Sequence, residues 1–242
     1  MISAIYRLTD VAKRYGEAQD GPEFELFVPQ LTVNAGHRVG IVAESGFGKS
    51  TLLDLLVFAS RPTAGAGFGF EIPSGGRVDV MAQWSTGGSN AFSTLRREHI
   101  GVVLQTGGLL PFLTARGNIE LPGKLLGRAV DVAGLAYKLD ICGQLGKYPR
   151  QLSIGQRQRV AIARALAHRP LVVVADEPTA SLDRVNADRV MNYLVELAQS
   201  EGITLILASH DRTLVSRYAF EVLHHDQEVN AGEVGVRSRF WN

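Results

Sequence analysis

The stretch YPRQLSIGQRQRVAIARAL, residues 148–166, followed at once by LVVVADEP, residues 171–178, decides the fold. Its second half contains an apolar run, residues 171–175, that ends in the acidic pair Asp176 and Glu177. A continuous apolar run of this length predicts a strand buried in a parallel sheet. Because such sheets bind ligands at the carboxyl ends of their strands, we expect both carboxylates at a ligand site.

A second motif, AESGFGKST at residues 43–51, lies upstream. It follows the short apolar segment 39–42 and precedes the helical pattern 52–58. This is the context of a phosphate-binding loop, in which backbone N–H groups point at anionic oxygens and a helix N-terminus adds favourable partial charge. Gly46 and Gly48 permit the close wrap of the backbone. The alternative is a glycine turn without a ligand, and the downstream motifs argue against it.

Composition favours a single α/β domain over residues 1–242, or one domain with a small subdomain. The 242 residues are 45% hydrophobic, which is ample for a sizeable core. A formal net charge of +1, from 25 basic and 24 acidic residues, gives no electrostatic reason to expect a nucleic-acid partner. One local basic group is interpreted as a solvated helix face rather than an RNA site: Arg157, Arg159, Arg164 and Arg169.

Cysteine usage and hydropathy bear on the compartment. The single cysteine, Cys142, cannot form an internal disulfide, and we interpret it as a packing residue in a reducing compartment. No segment approaches the roughly 20 apolar residues that cross a bilayer, and the N-terminus has no apolar core of signal-peptide length. If the chain serves transport, its membrane-spanning part is therefore expected on another polypeptide.

The first third of the chain predicts strands. Residues 4–11 and 23–33 alternate apolar and polar side chains, as antiparallel strands with one wet face do, and residues 16–22 between them predict a turn. Residues 61–93 contain seven glycines and little helical period. We interpret that segment as irregular strands and turns rather than a core element.

The remainder predicts helices that alternate with strands. Residues 114–145 predict two or more short helices, interrupted at Pro122 and Gly123. Ser153 and Gln156 fit a capping box, and we expect the helix that they open to stop at Pro170. The α/β alternation that implies a parallel sheet continues as a strand at 171–175, a helix at 186–200 and a strand at 204–208.

The order of these motifs resembles the ATP-binding cassette (ABC) ATPases over residues 15–210. Within that family, LRREHIGVVLQ at 95–105 and LLPFLTARGNIELP at 109–122 look most like the lipoprotein-releasing, macrolide-efflux and cell-division branch. The resemblance implies an ABC ATPase fold of the α/β class, with a RecA-like parallel-sheet core, an N-terminal antiparallel β subdomain and a helical subdomain at about 110–165.

The resemblance also implies roles in the phosphate loop, with ATP and Mg²⁺ as ligands. Lys49 would bind the β and γ phosphates, Ser50 would offer its hydroxyl to Mg²⁺, and Thr51 would reach the α phosphate. Ala43 stands where the commonest form of the motif has glycine, a change that costs little if its φ is negative. The expected ATP-binding residues of the loop are Glu44, Ser45, Gly46, Phe47, Gly48, Lys49, Ser50 and Thr51.

Five further positions match the family's motifs. Asp176 would hold Mg²⁺, and Glu177 would act as general base toward the attacking water. Gln105 would contact Mg²⁺ and that water, its alternative being a surface amide at a strand end. His210 in LASHD would meet the γ phosphate. Tyr15 would stack on adenine, and a buried strand tyrosine is the alternative.

The signature LSIGQ departs from the family's usual LSGGQ at Ile154. By resemblance, Ser153, Gly155 and Gln156 would bind the ATP held by a second copy of the chain, and Asp183 would line the same interface. A twofold pair satisfies this requirement reciprocally. Ile154 adds bulk there, which puts the rate of closure in question.

These implications lead to one functional hypothesis and two alternatives. The hypothesis is an ATP-hydrolysing subunit at the cytoplasmic face of the inner membrane, which drives separate permease subunits and, through them, periplasmic cargo or adaptor proteins. The groove at 105–126 would receive a permease helix. One alternative is a nucleotide-switched regulatory module that signals to a cell-envelope complex without transport. The other, a soluble ABC enzyme of translation or DNA repair, needs two cassettes or a long coiled-coil insertion. Cargo and direction of transport stay open.

Overall fold

The structure is a computed structural model that describes residues 3–16, 24–73, 76–87, 89–229 and 235–242. Strands precede, separate and follow the helices along the chain. The strands are β1 (Ala4–Tyr15), β2 (Phe24–Asn34), β3 (Arg38–Val42), β4 (Gly67–Ile72), β5 (Gly76–Asp79), β6 (Ile100–Val103), β7 (Val172–Asp176), β8 (Thr204–Ser209), β9 (Glu221–Val222), β10 (His224–Val229) and β11 (Val236–Trp241). The helices are α1 (Lys49–Leu56), α2 (Val80–Ser85), α3 (Ser89–His99), α4 (Ala115–Leu126), α5 (Val132–Lys138), α6 (Ile154–Leu166), α7 (Arg184–Ser200) and α8 (Arg212–Arg217).

Two sheets form the frame of the described chain. One has five parallel strands in the order β6-β7-β8-β3-β9, and its central strands β7, β8 and β3 are mostly apolar, as strands with both faces covered are. The other has six strands in the order β10-β11-β2-β1-β4-β5 and is antiparallel except where β11 pairs with β2. The predicted α/β fold with a parallel core, an antiparallel β subdomain and helices is confirmed.

The parallel sheet separates two hydrophobic cores. The core between the sheets surrounds α1, whose Leu52 and Leu55 are fully buried. Tyr6 on β1 joins it, and its hydroxyl donates to the Leu56 carbonyl oxygen at 2.8 Å. The second core packs α4, α6 and α7 against the other face. This arrangement holds the carboxyl ends of β3, β6, β7 and β8 at one edge.

The prediction for residues 61–93 was wrong, because this segment contributes to the core. It contains β4, β5, α2 and the start of α3. In the sequence GFGFEI of β4, Phe68 and Phe70 enter the core while the intervening glycine faces the other way. A Cβ on Gly69 would lie 2.7 Å from Nε of the Arg77 side chain on β5, so this glycine lies in a paired strand and not in a turn.

The predicted interruption at Pro122 and Gly123 was also wrong. Helix α4 continues through both residues to Leu126, and Gly127, whose φ is 64°, caps its carboxyl end. Gly123 allows the chain that follows α4 to approach closely, since a Cβ there would lie 2.7 Å from the Arg128 carbonyl oxygen. The break between two helices exists, but it falls after Leu126.

Other local predictions have mixed outcomes. The capping box is confirmed: Gln156 N–H donates to Ser153 Oγ at 3.2 Å, and Ser153 N–H donates to Gln156 Oε1 at 3.0 Å. Helix α6 ends at Leu166, ahead of the expected stop at Pro170. Cys142 is exposed, so its interpretation as a packing residue was wrong. The expected turn at 16–22 lies outside the described residues after Gly16.

The basic group on α6 and its following loop is not a solvated face. Arg157 donates to the Leu152 carbonyl oxygen at 3.1 Å, and Arg159 donates to that of Asp140 at 2.9 Å. Arg164 donates to two carbonyl oxygens of the segment after β6. Of the four, Arg169 is the exposed one, with 81% of its side chain accessible. Three of these guanidinium groups therefore tie backbone segments together.

Among the described helices, none has the length and apolar character needed to cross a membrane.

Candidate functional site

A cleft of about 350 Å³ lies where β3, β6 and β7 end. Parallel strands deliver their following loops to one edge, so three sequence-distant motifs meet there. The residues that line the cleft are Phe24, Glu44, Ser45, Gly46, Gly48, Lys49, Ser50, Thr51, Gln105, Asp176 and Glu177. Except for Phe24, all are residues that the sequence predicted for this site.

The loop after β3 has the backbone of an anion cradle. Gly46 and Gly48 have φ values of 88° and 85°, which side chains rarely adopt. Nothing lies within 4 Å of a Cβ built on Gly46, whereas one on Gly48 would lie 2.7 Å from the Phe24 ring. Helix α1 begins at Lys49 without a side-chain cap, so no capping side chain occupies the N–H groups of its first turn. This end of the helix lines the cleft. The geometry suits phosphate oxygens.

Lys49 closes the loop on itself. Its Nζ donates to the carbonyl oxygens of Ala43 at 2.7 Å and Glu44 at 3.1 Å. Ala43 is not among the residues with positive φ, so its methyl group causes no backbone strain. The departure from glycine at this position is therefore compatible with the loop.

Ser50 and Asp176 meet across the cleft. Ser50 Oγ donates to Asp176 Oδ2 at 3.1 Å. Burial raises the pKa of Asp176 above its ordinary value, and the nearby Glu177 charge acts in the same direction. A hydroxyl and a carboxylate are oxygen ligands of the kind that Mg²⁺ takes, so these residues fit that ion.

Glu177 is held in a strained conformation between Lys49 and His210. Its φ is 46°, in the left-handed region that non-glycine residues seldom occupy, and its N–H donates to the Ala208 carbonyl oxygen at 3.0 Å. Its carboxylate lies 3.6 Å from Lys49 Nζ and 2.9 Å from His210 Nδ1. The structure thus brings Lys49, Glu177 and His210 together, as one cluster.

An aromatic pair stands beside the phosphate loop. Tyr15 is 43% exposed, so it is not a buried strand residue. Its ring stacks on Phe24 at 6.4 Å between centroids, and Lys13 Nζ lies 4.9 Å from the Tyr15 centroid. Sequence analysis missed Phe24, which was assigned only to a strand. Phe47 was predicted in the site, but its ring packs edge-on against His225 instead of lining the cleft.

The signature residues form a second group outside the cleft. Ser153 and Gln156 cap α6 through their reciprocal hydrogen bonds. Asp183 caps α7, and hydrogen bonds from Asn186 lower the pKa of its carboxyl group. A Cβ built on Gly155 would lie 3.8 Å from the Asn186 side chain, which places the two loops side by side. This group contributes no residue to the cleft lining.

A larger cavity, of about 690 Å³, lies between the loop after α4 and the carboxyl ends of α6 and α7. Its lining includes Arg128, Lys138 and His168 and none of the predicted site residues. The chemistry of the cleft, rather than size, identifies the candidate site.

Residues 27–180 match the family model described as ABC transporter. The chain belongs to this family. The family predicted from the sequence is confirmed.

Two relatives place the chain more closely. The macrolide export ATP-binding/permease protein MacB of Nitrosomonas europaea is 39% identical over 96% of this chain. This chain spans only 34% of that relative's length. The lipoprotein-releasing system ATP-binding protein LolD of Legionella pneumophila is 36% identical over 84% of this chain and 87% of its own. These matches agree with the lipoprotein-releasing and macrolide branch predicted from the sequence.

A solved structure has the same architecture. The ATP-binding cassette MJ0796, a dimer in a post-hydrolysis state bound to ADP and Pi, matches with a TM-score of 0.73 and 29% identity. The match covers 90% of this chain and 93% of the other. It confirms the ABC cassette fold of this chain.

Proposed function

We propose that this chain hydrolyses ATP with Mg²⁺ and drives a separate membrane permease, as one of two copies that close on two ATP molecules. The observation that carries the proposal is the convergence of Ser50 and Asp176 with the cluster of Lys49, Glu177 and His210 in one cleft. The whole of residues 1–242 acts as one nucleotide-binding domain, with its helical subdomain at about 110–165.

Each group in the cleft has a role in phosphoryl transfer. The loop N–H groups and Lys49 hold the phosphates, and Tyr15 stacks on the base. Ser50, Asp176 and Gln105 would hold Mg²⁺, which supplies charge neutralisation at the phosphates when bound. Glu177 accepts the proton of the attacking water.

His210 keeps the Glu177 carboxylate in place. The two side chains lie 2.9 Å apart, and Glu177 is fixed from the other side by its N–H bond to β8. A general base needs this orientation because proton transfer depends on a hydrogen-bond distance to the water. The strained backbone of Glu177 places the carboxylate beyond the end of β7 rather than in the sheet.

A second copy completes the site. Ser153, Gly155 and Gln156 lie outside the cleft of their own chain, so they serve ATP only if they face the cleft of another copy. Ile154 is 48% exposed at that surface, which leaves it free for a contact between copies. The dimeric state of MJ0796 supports the same arrangement here.

The membrane partner docks on the groove at 105–126, which comprises the segment after β6 and helix α4. Asn118 is fully buried and fixes this segment by accepting a hydrogen bond from Leu110 N–H at 2.8 Å. Phe112 of this segment is 71% exposed and Leu125 of α4 is 59% exposed, so the groove presents apolar side chains to solvent. The permease would hold the chain at the cytoplasmic face of the inner membrane and engage periplasmic cargo or adaptor proteins. No nucleic-acid partner is proposed, in line with the near-neutral charge.

The test is steady-state ATP hydrolysis by the purified chain with Mg²⁺ or with a chelator. Asp176→Asn is expected to lower kcat about 10²-fold, because the substitution removes the carboxylate charge that would hold Mg²⁺ beside the reacting phosphates. Asp54→Asn is the matched control: this carboxylate near Asp176 does not line the cleft, so hydrolysis should stay within about twofold. Hydrolysis that neither the chelator nor Asp176→Asn lowers would overturn the proposal.

A further inference from the structure

The turn that carries Gln105 has an unusual backbone. Gly107 N–H donates to the Leu104 carbonyl oxygen at 2.8 Å, which closes a four-residue turn with Gln105 and Thr106 in the middle. Gly107 and Gly108 follow with φ values of 76° and 55°. Both glycines lie outside every described strand and helix, so their carbonyl oxygens do not belong to a sheet or a helix ladder.

Side chains of α6 bind both ends of this turn. Gln158, which is 3% exposed, directs its Nε2 to the Leu104 carbonyl oxygen at 3.4 Å. At the other end, Arg164 donates from Nη1 to the Gly108 carbonyl oxygen at 2.7 Å and from Nη2 to that of Gly107 at 3.0 Å. The planar guanidinium group suits two neighbouring acceptors, and lysine has no equivalent fork.

The reach of Arg164 distinguishes it from its neighbours on α6. Arg157 and Arg159 bind carbonyl oxygens of the helical subdomain itself, at Leu152 and at Leu139 and Asp140. Arg164 instead spans 56 positions of sequence to the loop after β6, a strand of the parallel sheet. Burial lowers the pKa of Arg164, as expected where a charge leaves water to serve backbone acceptors.

We propose that Arg164, together with Gln158, is a positioning residue for Gln105. It fixes the turn so that Gln105 lines the cleft beside Asp176 and Glu177. Because Ser153 caps the N-terminus of the same helix, α6 connects the signature of one chain to the Gln105 turn of that chain. The inference rests on the proposed function, in which Gln105 acts at the reacting phosphates.

The first test measures the turn itself, without ATP. Amide hydrogen exchange by NMR reports the Gly107 N–H, which donates inside the turn. In Arg164→Met this exchange is expected to accelerate about tenfold, because the two charge-assisted bonds that hold the turn are lost. Arg159→Met is the matched control, a half-buried guanidinium on the same helix bound to other carbonyls. There the change should stay within about twofold. Equal protection of Gly107 in both variants would overturn the proposal.

The second test separates positioning from structural support. Arg164→Met should lower kcat about tenfold with KM for MgATP within about twofold, since the phosphate loop and Tyr15 are untouched. In a Gln105→Ala background the same substitution should lower kcat by less than about twofold, because the residue that it positions is gone. If the reduction of kcat in the double variant equals the product of the two single reductions, Arg164 does not act through Gln105.

A second variant covers a failure to fold, and the exchange measurement does not depend on ATP hydrolysis. If Arg164→Met does not fold, Arg164→Lys replaces it: one ammonium can serve one of the two carbonyls, so we expect an intermediate exchange rate and kcat. A wild-type chain that hydrolyses no ATP would contradict the proposed function, whereas the exchange of Gly107 would still decide whether Arg164 holds the turn.

Discussion

His168 makes the stability of this cassette sensitive to acid. The residue lies between α6 and β7 and is 8% exposed. Burial lowers its pKa from 6.5 to about 4, and the positive charge of Arg128 acts in the same direction. The folded state thus binds a proton less readily than the unfolded state, so stability is full above pH 6.5 and is lost as the pH falls toward 4. The whole displacement corresponds to roughly 3 kcal/mol, of which about 2 kcal/mol is lost by pH 5.

The assay is urea unfolding of the wild-type chain and His168→Asn at pH 7 and pH 5. Other groups titrate in both proteins, so the quantity of interest is the difference between their two pH dependences. We expect the wild type to lose about 2 kcal/mol more than His168→Asn on acidification. The exposed His224, changed to Asn, serves as the control and should behave as wild type. The same pH dependence in wild type and His168→Asn would mean that His168 does not make the fold sensitive to acid.

Two further predictions concern the nucleotide. Lys49→Ala should weaken ATP binding at least about tenfold in a fluorescent-nucleotide titration, because a charge-assisted contact to phosphate is lost. As a control, replacement of the exposed Lys147 by alanine should leave the affinity unchanged. Equal affinities of the two variants would contradict the role of Lys49. Ser153→Ala should lower the free energy of unfolding by about 1 kcal/mol, since Gln156 N–H loses its acceptor, and should also weaken ATP-dependent association of two chains. Loss of stability with unchanged association would leave Ser153 a helix cap alone.

The parallel core could be predicted because its signals are local. Uninterrupted apolar runs, as in residues 171–175, are typical of strands in a sheet that is covered on both faces. The antiparallel sheet was harder, because β4 alternates phenylalanine with glycine and the glycines suggested turns. Whether a glycine belongs to a turn or to a paired element depends on how the chain folds around it, as the Arg77 side chain beside Gly69 shows. The same holds for Gly123, which admits the Arg128 carbonyl oxygen.

The motif residues of the cleft were predicted for a related reason. A phosphate loop and a strand-end carboxylate pair have fixed spacing within each motif, and parallel strands bring their ends together. Phe24 has no such pattern, since it reaches the cleft through the pairing of β1 with β2. Arg164 was assigned to a solvated face because helical spacing says nothing about the loop after β6 that binds it.

Glu177→Gln shows whether two copies of this chain close on ATP. This substitution removes the general base, lowers turnover by roughly 10²-fold and leaves the ATP-binding groups in place. Size analysis with light scattering, with and without Mg²⁺ and ATP, then measures the mass in solution. We expect a monomer without nucleotide and a dimer with ATP, despite Ile154 in the signature. A variant that binds ATP but stays monomeric at every protein concentration would contradict this expectation.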